Sequence, residues 1–583
     1  MTIEQTALLA LLAGLMLAFA FDRWRVEVVA VAGLSLAVLL GLIPAGSVFS
    51  GFADPAVITV VELLVIAQAL GRSPLANITA RRIAAFQAGE SGTIALLCAA
   101  AALASAFINN VGALALMLPV VATVCDSRGI PPRRVLMPVS FATLLGGLCS
   151  LIGTPANLVV SRALAEAEGT GLGFFTLAIV GVPLSILGIL WLAGVGHRLL
   201  APVGRRPLEG EDYPIDRFLT EVRLPPSSAL IGKAVTEVEG ANRLAIHGVF
   251  RGPARLFGRK EQQILAAGDI LLISSRVAEI RAFLTQHALM PAVADAAQPL
   301  PADRVWREVV VMPQSAIIGS ALGAIAAFAE RDVQVVGISP QRDRIEGRLG
   351  DVAPAIGDIL LIRGRAEDIA AAIADTDCAP LAARPLLFAS AETLMPLGAF
   401  VGAVGLASSG VAPPELAFGL AIAFLLVTRA LDLGAALRAI NWPVIVMLAA
   451  MLPIGQALQT TGTADLLARN ALLAVGDQPM VIVLAATLLV AIVVTPFLNN
   501  VTTAIILAPI AISVGAQAGV PLDLMLVAVA VGASTDFMTP FGHHNNTLVM
   551  SLGGYSFSDF PKVGAALTLI VLVAAPIILA AMG

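Results

Sequence analysis

Apolar runs long enough to cross a bilayer constrain this chain more than any other feature. A membrane-spanning helix needs about 20 mostly apolar residues for roughly 30 Å of hydrocarbon, fewer where it is broken or covered by protein. Such runs lie near 5–21, 24–43, 56–71, 135–165 and 172–197, and again near 387–406, 415–430, 440–458, 524–552 and 563–582. Two further apolar stretches, 92–124 and 480–514, each carry an Asn-Asn pair near the middle. Between the two sets, residues 205–385 alternate short apolar runs with turns and hold most of the acidic side chains. Only 13% of the chain is charged, where soluble domains run about 25%, and mean hydropathy is +0.91. The expected fold class is therefore an α-helical polytopic membrane protein with a soluble insertion, divided at 1–204, 205–383 and 384–583. Met1–Phe21 reads as a first span rather than a removed signal, because no basic n-region precedes it. A net charge of −5 gives no reason to expect a nucleic-acid partner. The cysteines Cys98, Cys125, Cys149 and Cys378 are scattered, with neither pairing nor metal-ligand spacing, and read as small apolar fillers.

Basic residues orient the spans, since cytoplasmic loops are enriched in Lys and Arg. Arg23/Arg25, Arg72/Arg81/Arg82, Arg128/Arg133/Arg134 and His197-Arg198 with Arg205-Arg206 mark one side in the first half; Arg384, Arg429, Arg438 and Lys562 mark it in the second. The loops 44–55, 407–414 and 515–523 carry no basic residue. This pattern predicts both termini outside and the insertion in the cytoplasm. The stretch 92–124 then enters from inside and 480–514 from outside. Each half reads as five transmembrane helices plus one re-entrant hairpin, threaded in opposite directions. Inverted repeats with interrupted elements at the midplane are a transporter architecture.

The halves also match residue by residue. Phe107, Asn109, Asn110, Val111, Pro119, Gly129 and Pro131 correspond to Phe497, Asn499, Asn500, Val501, Pro509, Gly519 and Pro521 at one constant offset. Further on, "SLIGTPANLVVS" (150–161) answers "MTPFGHHNNTLVMS" (538–551), placing Gly153 against Gly542 and Asn157 against Asn546. A helix broken at mid-membrane leaves N–H groups open at one end and carbonyls at the other. The N–H end attracts anions, and carbonyls with amide oxygens coordinate small hard cations. Inter-helix hydrogen bonding alone is the competing reading of the asparagines, with each bond worth about 0.6–2 kcal/mol.

With "SGFADPAVITV" (50–60), "FINNVGALALMLPV" (107–120), "LIGTPANLVVS" (151–161) and "GGYSFSDFPKVG" (553–564), the chain resembles the divalent anion:sodium symporter family. Within it, the chain resembles the branch with two TrkA-C (RCK C-terminal) modules in the central loop, here 205–295 and 296–383. The resemblance implies a homodimer in the cytoplasmic membrane that carries sodium ions and a small dianion, sulfate or a dicarboxylate. Family hairpin tips usually read Ser-Asn-Thr and bind sodium and the substrate's oxyanion. Here Asn110 and Asn500 hold the asparagine position, but the flanking hydroxyls are absent. The candidate substrate contacts are Asn110, Val111, Thr154, Pro155, Asn500, Thr502, Thr503 and His543; the branch more often has uncharged polar residues where His543 and His544 stand, so these two depart from it. The candidate sodium ligands are Asn109, Asn110, Asn499 and Asn500 at the tips and Gly153, Asp536 and Gly542 at the breaks. Thr502 and Thr503 correspond to Gly112 and Ala113, so the expected site is asymmetric.

Ionisable groups at membrane depth are functional candidates. Asp536 precedes the second break, and His543 and His544 lie within it; any of the three is a candidate for proton coupling. A structural role is the alternative for each. Glu62, with Gln68 on the same span, reads equally as a packing or dimer contact.

The insertion is itself duplicated. "LPPSSALIGKAVTEV" (224–238) and "ILAAGDILLISSRVAEI" (264–280) answer "MPQSAIIGSALGAIAA" (312–327) and "APAIGDILLIRGRAEDI" (353–369). Each unit is expected to run strand, Ser-initiated helix, strands, Gly-Asp turn, strand, helix, with Ser228 and Ser315 as helix starts or caps. The modules are candidates for a small regulatory ligand, or else form a structural cap. No P-loop and no nucleophile–base spacing is present, which argues against an enzyme. A proton-coupled carrier, an arsenite-type exporter and a channel gated by the modules are the alternative functions.

Overall fold

Helices fill the apolar stretches of the computed structural model. It describes the chain apart from residues 21–23, 72–82, 84–85, 87, 201–216, 243, 253, 257–262, 288, 292–303, 313–314, 341–347, 382–390, 432, 439, 441 and 476–477. Arg23, Arg72, Arg81, Arg82, Arg205, Arg206 and Arg384, used above for orientation, lie outside the described residues. The chain divides into two compact units, one of Met1–Pro202, Arg384–Met550 and Tyr555–Gly583, the other of Val203–Ala383 with Ser551–Gly554.

The first unit is helical. Its N-terminal half contains α1 (Ile3–Ala20), α2 (Val26–Leu39), α3 (Pro55–Gly71), α4 (Glu90–Ser105), α5 (Asn110–Arg128), α6 (Arg133–Gly146), α7 (Pro155–Glu168) and α8 (Ala178–Trp191). Its C-terminal half contains α9 (Ala391–Ser408), α10 (Pro414–Val427), α11 (Leu433–Arg438), α12 (Trp442–Thr460), α13 (Thr463–Val475), α14 (Met480–Leu498), α15 (Asn500–Ala518), α16 (Leu522–Ser534), α17 (His544–Gly553) and α18 (Asp559–Ala580). Among the described residues six helical segments are long and apolar enough to span a bilayer, α12, α14, α15 and α18 among them, and shorter apolar helices accompany them. The apolar runs 135–165 and 524–552 are each split in two, α6/α7 and α16/α17.

Local sequence explains the hairpins. Asn109 and Asn499 stand at the N-caps of α5 and α15, where a side-chain oxygen satisfies an open N–H. Gly129 (φ 63°) and Gly519 (φ 70°) end the same helices in the left-handed conformation that glycine adopts without a Cβ penalty. Pro131 and Pro521 follow, where a helix cannot continue. Packing then repeats: α4 runs along α6, and α14 along α16. Gly146 allows the first contact, because a Cβ there would lie 2.5 Å from the Ala102 Cα. The halves interlock through Phe141, whose ring lies 5.1 Å from Phe537 and 6.2 Å from Phe560.

Among the described residues the second unit is built on one nine-stranded sheet: β1 (Arg217–Arg223), β2 (Ala245–Arg251), β3 (Ala254–Arg255), β4 (Ile270–Arg276), β5 (Met290–Pro291), β6 (Val305–Val311), β7 (Gln334–Ser339), β8 (Ile359–Gly364) and β9 (Cys378–Pro380). The order is β3-β2-β4-β1-β7-β8-β6-β9, with β5 on β1. The seam is β1 against β7, with Leu219 opposite Ile338 and Thr220 opposite Gly337. Any side chain at Gly337 would meet the Leu219 carbonyl at 2.6 Å. Gly268 (φ 83°) and Gly357 (φ 86°) shape the turns before β4 and β8, and Asp269 and Asp358 close them by accepting from Ala266 and Ala355 N–H.

The Ser-initiated helices are a correction. Ser228 and Ser315 lie at turns, and the helices begin later, at Val235 and Ala326. The reason is local competition. Ser228 Oγ accepts from Leu230 N–H at 3.3 Å, a turn bond, and Ser315 Oγ donates to the distant Thr376 carbonyl, so neither caps a helix.

Candidate functional site

Two helix junctions and two helix breaks supply the polar groups at the centre of the membrane unit. At the first junction Asn109 Oδ1 accepts from Gly112 N–H at 2.7 Å; at the second, Asn499 Oδ1 accepts from Thr502 N–H at 3.0 Å. The first asparagine of each pair is thus occupied as a cap. The second asparagine faces another element. Asn110 is buried and accepts from Ser105 Oγ at 2.8 Å, while half-buried Asn500 donates through Nδ2 to Thr154 Oγ1 at 3.1 Å.

The breaks are held by two staples of the same design. Asn157 Nδ2 donates to the carbonyls of Gly147 and Ser150, both at 2.9 Å. Asn546 Nδ2 donates to the carbonyls of Asp536 and Thr539, at 3.0 and 3.1 Å. All three residues correspond at a single offset, one residue shorter than that of the hairpins. An unpaired buried carbonyl costs about 1–3 kcal/mol, so each asparagine makes a non-helical segment affordable inside apolar surroundings. In the first break Gly153 lies against Gly147, and a Cβ would come 2.5 Å from the Gly147 carbonyl oxygen.

The second break carries a carboxylate. Asp536 is 2% exposed; its Oδ1 accepts from Thr539 N–H at 3.1 Å, and its Oδ2 accepts from Thr539 Oγ1 at 2.6 Å and Gly542 N–H at 3.1 Å. Asp536 and Gly542, both expected at a sodium site, are thereby in direct contact, and the carboxylate organises its own loop.

Junctions and breaks are joined crosswise. Asn500, at the second hairpin, binds Thr154 of the first break. Asn545, at the second break, donates through Nδ2 to the Asn110 carbonyl at 2.8 Å and to Thr143 Oγ1 at 2.7 Å. The N-terminus of α15 therefore meets that of α7, and the N-terminus of α17 meets that of α5. Helix N-termini favour anions. Among the described residues four buried polar atoms in this region have no hydrogen-bond partner: Asn157 Oδ1, Ser534 Oγ, His543 Nε2 and Asn545 Oδ1. Three of them are oxygens, the ligand type of hard cations.

The remaining candidates divide. Pro155 and Asn109 share a small, mainly apolar cleft with Val60, Leu63, Phe107 and Ile152. Val111 lies half-buried in the first turn of α5. Thr503 Oγ1 donates to the Asn499 carbonyl at 2.7 Å, and buried Thr502 lies 4.0 Å from Met447 Sδ, so neither hydroxyl is brought to the first break. His543 is buried with its ring bonded to the Ser534 backbone, whereas His544 is exposed. Glu62 faces α10, where a Cβ on Gly419 would lie 3.0 Å from Oε1, and among the described residues its buried Oε2 has no hydrogen-bond partner. The side chain of Gln68 lies outside the described residues. Asn545, Thr143 and Ser105 are partners that sequence reasoning missed; the doubled asparagine of "GHHNN" was the available signal for the first.

A family model described as citrate transporter matches residues 16–532 and 483–582. The chain belongs to the citrate transporter family. Members similar along their whole length include "Uncharacterized transporter YfbS" of Escherichia coli (strain K12), 29% identical over 589 residues and covering 97% of both chains. "Uncharacterized transporter sll0640" of Synechocystis sp. is 27% identical, covering 98% of this chain and 96% of its own. "Sodium/sulfate cotransporter 1" of Chlamydomonas reinhardtii is 28% identical over 289 residues, 44% of this chain and 31% of that protein. The citrate transporter family consists of membrane carriers, so this multi-pass protein is a transporter and not an enzyme.

Proposed function

We propose that this transporter couples sodium entry to uptake of a divalent oxyanion, sulfate or a dicarboxylate, across the cytoplasmic membrane. The observation that carries the reading is the crosswise bonding of Asn500 to Thr154 and of Asn545 to the Asn110 carbonyl. It sets paired helix N-termini, suited to an anion, beside amide and hydroxyl oxygens suited to sodium. The sodium/sulfate cotransporter relative supports the same cargo. In this reading the matched hairpins and breaks form an inverted repeat with boundaries near 1–204 and 384–583. Both termini lie outside. The two halves of the insertion are TrkA-C modules at 205–295 and 296–383 in the cytoplasm, and the carrier is a homodimer. Sodium bound at the tips through Asn109, Asn110, Asn499 and Asn500, and at the breaks through Gly153, Asp536 and Gly542, orders the anion site. Substrate then meets Asn110, Val111, Thr154, Pro155, Asn500, Thr502, Thr503 and His543. Repeat-related rocking supplies alternating access.

A second reading rests on one observation: His543 is buried and among the described residues its Nε2 has no hydrogen-bond partner, so a titratable ring lies beside the break. Proton coupling through His543, His544 or Asp536 follows from it. Proteoliposome uptake of labelled sulfate, succinate and citrate under sodium, proton or no gradient separates the two. Sodium-driven accumulation supports the first reading, proton-driven accumulation the second, and uptake indifferent to both gradients overturns coupled transport.

A further inference from the structure

We propose that the insertion carries a binding site for a small tetrahedral oxyanion, phosphate or sulfate, free or borne on a small molecule, formed by Arg281, Arg304, Arg363 and Trp306. Trp306 on β6 and Arg363 on β8 are direct cross-strand partners. The Arg363 guanidinium carbon lies 5.6 Å from the Trp306 ring centroid. Arg281, on the helix Val277–Gln286 of the first half of the insertion, lies 4.9 Å from the same ring. Arg304 enters β6 two residues before the tryptophan. Two guanidiniums, one from each half of the insertion, therefore stack on one indole, and the charge of Arg304, which is held by Asp332, acts on Arg363 beside them.

Their charges are incompletely matched. Burial, then Arg304 and Arg281, hold the Arg363 guanidinium below its ordinary range. Arg304 is paired with Asp332, which is 71% exposed. Glu308 faces Arg281, whose charge opposes the burial that pushes this carboxyl up. Among the described residues Arg363 Nε is buried without a hydrogen-bond partner. Like charges held together cost energy unless an anion joins them. Arginine stacked on an aromatic ring also keeps its N–H fork free to take two oxygens of phosphate or sulfate.

The repeated fold supplies a control. Leu224 and Val311 donate equivalent N–H bonds to the Asp269 and Asp358 carbonyls, which fixes the register between the halves. Leu219, Glu221 and Ser274 then stand where Trp306, Glu308 and Arg363 stand. Glu221 is fully buried and accepts from Arg348 Nε at 3.0 Å and Leu349 N–H at 2.7 Å. The first half is thus closed and neutralised at the position where the second collects cations.

The test is titration calorimetry, with tryptophan fluorescence, on the full-length protein in sodium-free potassium buffer. Inorganic phosphate, sulfate and ADP are the probes. Saturable binding is expected, weakened at least 10-fold by R363Q and by the exposed-site variant R281Q, and unchanged by N500A. Tighter binding of ADP than of phosphate assigns a nucleotide as the source; equal or tighter binding of sulfate assigns the free anion. No saturable binding of any probe, or binding unaltered in R281Q and in a folded R363Q, overturns the proposal. Loss in N500A with retention in R281Q overturns it too, by placing the anion at the membrane site. Loss of transport in N500A with binding intact leaves the two sites separate.

Discussion

The two helix breaks of the membrane unit share a scaffold and differ in what they hold. Asn157 and Asn546 donate to corresponding carbonyls, so the loops are stapled alike. Yet Gly147 in the first loop stands where Asp536 stands in the second, and Thr154 where His543 stands. Close approach fills the first loop, with Gly153 on Gly147 and Asn110 Oδ1 beside it. A carboxylate gathering Thr539 and Gly542 fills the second. The backbone geometry has been kept twice while the charge sits on one side only. The proposed coupling of cations to a dianion calls for unlike subsites on a common frame, a demand this difference would meet.

The largest expected effect comes from cutting the staples. Asn546→Leu strands two buried carbonyls and also removes the acceptor of Ser140 Oγ, which bonds Asn546 Oδ1 at 2.9 Å. Asn157→Leu strands two carbonyls, and among the described residues Asn157 Oδ1 has no partner to lose. At about 1–3 kcal/mol per stranded group, both should melt far below the native protein and lose at least nine-tenths of uptake. Asn546→Leu should be the worse by about 1 kcal/mol. Equal losses in thermal melts would show that the Ser140 bond adds nothing and that the two staples are energetically identical.

Charge in the second loop comes next. Asp536→Asn keeps the volume but turns an amide N–H₂ toward donors that now meet oxygen, so uptake should fall about 10-fold or more. Gly542→Ala should act likewise, since its Cβ would be driven into Asp536 Oδ2. Gly153→Ala breaks the backbone approach in the first loop without touching any charge. If Asp536 serves sodium, its variants should raise the sodium concentration for half-maximal uptake, whereas Gly153→Ala should lower the maximal rate. Parallel changes in all three would remove the distinction between the loops.

Part of this arrangement was legible in the sequence because it is local. An asparagine cap, a left-handed glycine and a following proline, written twice, place both hairpin helices to within a residue or two. The breaks were legible as Gly/Pro-punctuated polar segments. The crosswise bonds were not, because their partners lie 346 and 435 residues apart and no local pattern encodes them. Nor was the division of labour within each pair: Asn109 and Asn499 are used as caps, leaving Asn110 and Asn500 to reach other elements. The serine turns of the insertion misled for the opposite reason. Ser228 and Ser315 carry a local helix-start signal that nearby turn and distant carbonyl partners override.

The crosswise bonds themselves offer a smaller, graded test. Thr154→Val removes a single acceptor, that of Asn500 Nδ2, at a cost of about 1 kcal/mol. Asn545→Leu removes two donations, to the Asn110 carbonyl and to Thr143 Oγ1. Apparent affinity for the anion should fall about 5-fold in the first and further in the second, measured by uptake at saturating sodium. Thr154→Ser, which restores the hydroxyl, should recover affinity. A valine variant with native affinity would mean that the contact holds the halves together without shaping the site.

The finest distinction lies between the caps. Asn109 has ordinary backbone angles (φ −54°, ψ 154°), whereas Asn499 lies at φ 64°, ψ 167°, a region that only glycine occupies freely. Holding a side chain there costs about 1–3 kcal/mol, and strain of this kind persists where the surroundings over-determine it. Replacing an N-cap asparagine by glycine costs only a few tenths of a kcal/mol. Asn499→Gly should therefore stabilise the protein by about 1 kcal/mol in a thermal melt, while Asn109→Gly should be neutral or slightly destabilising. If the strain serves transport, the stabilised Asn499→Gly protein should nevertheless carry substrate more slowly, because relief of strain loosens the junction that presents Asn500 to Thr154. A variant both more stable and fully active would make the strained cap a by-product of packing against Met447, whose sulfur lies 3.5 Å from Asn499 Nδ2.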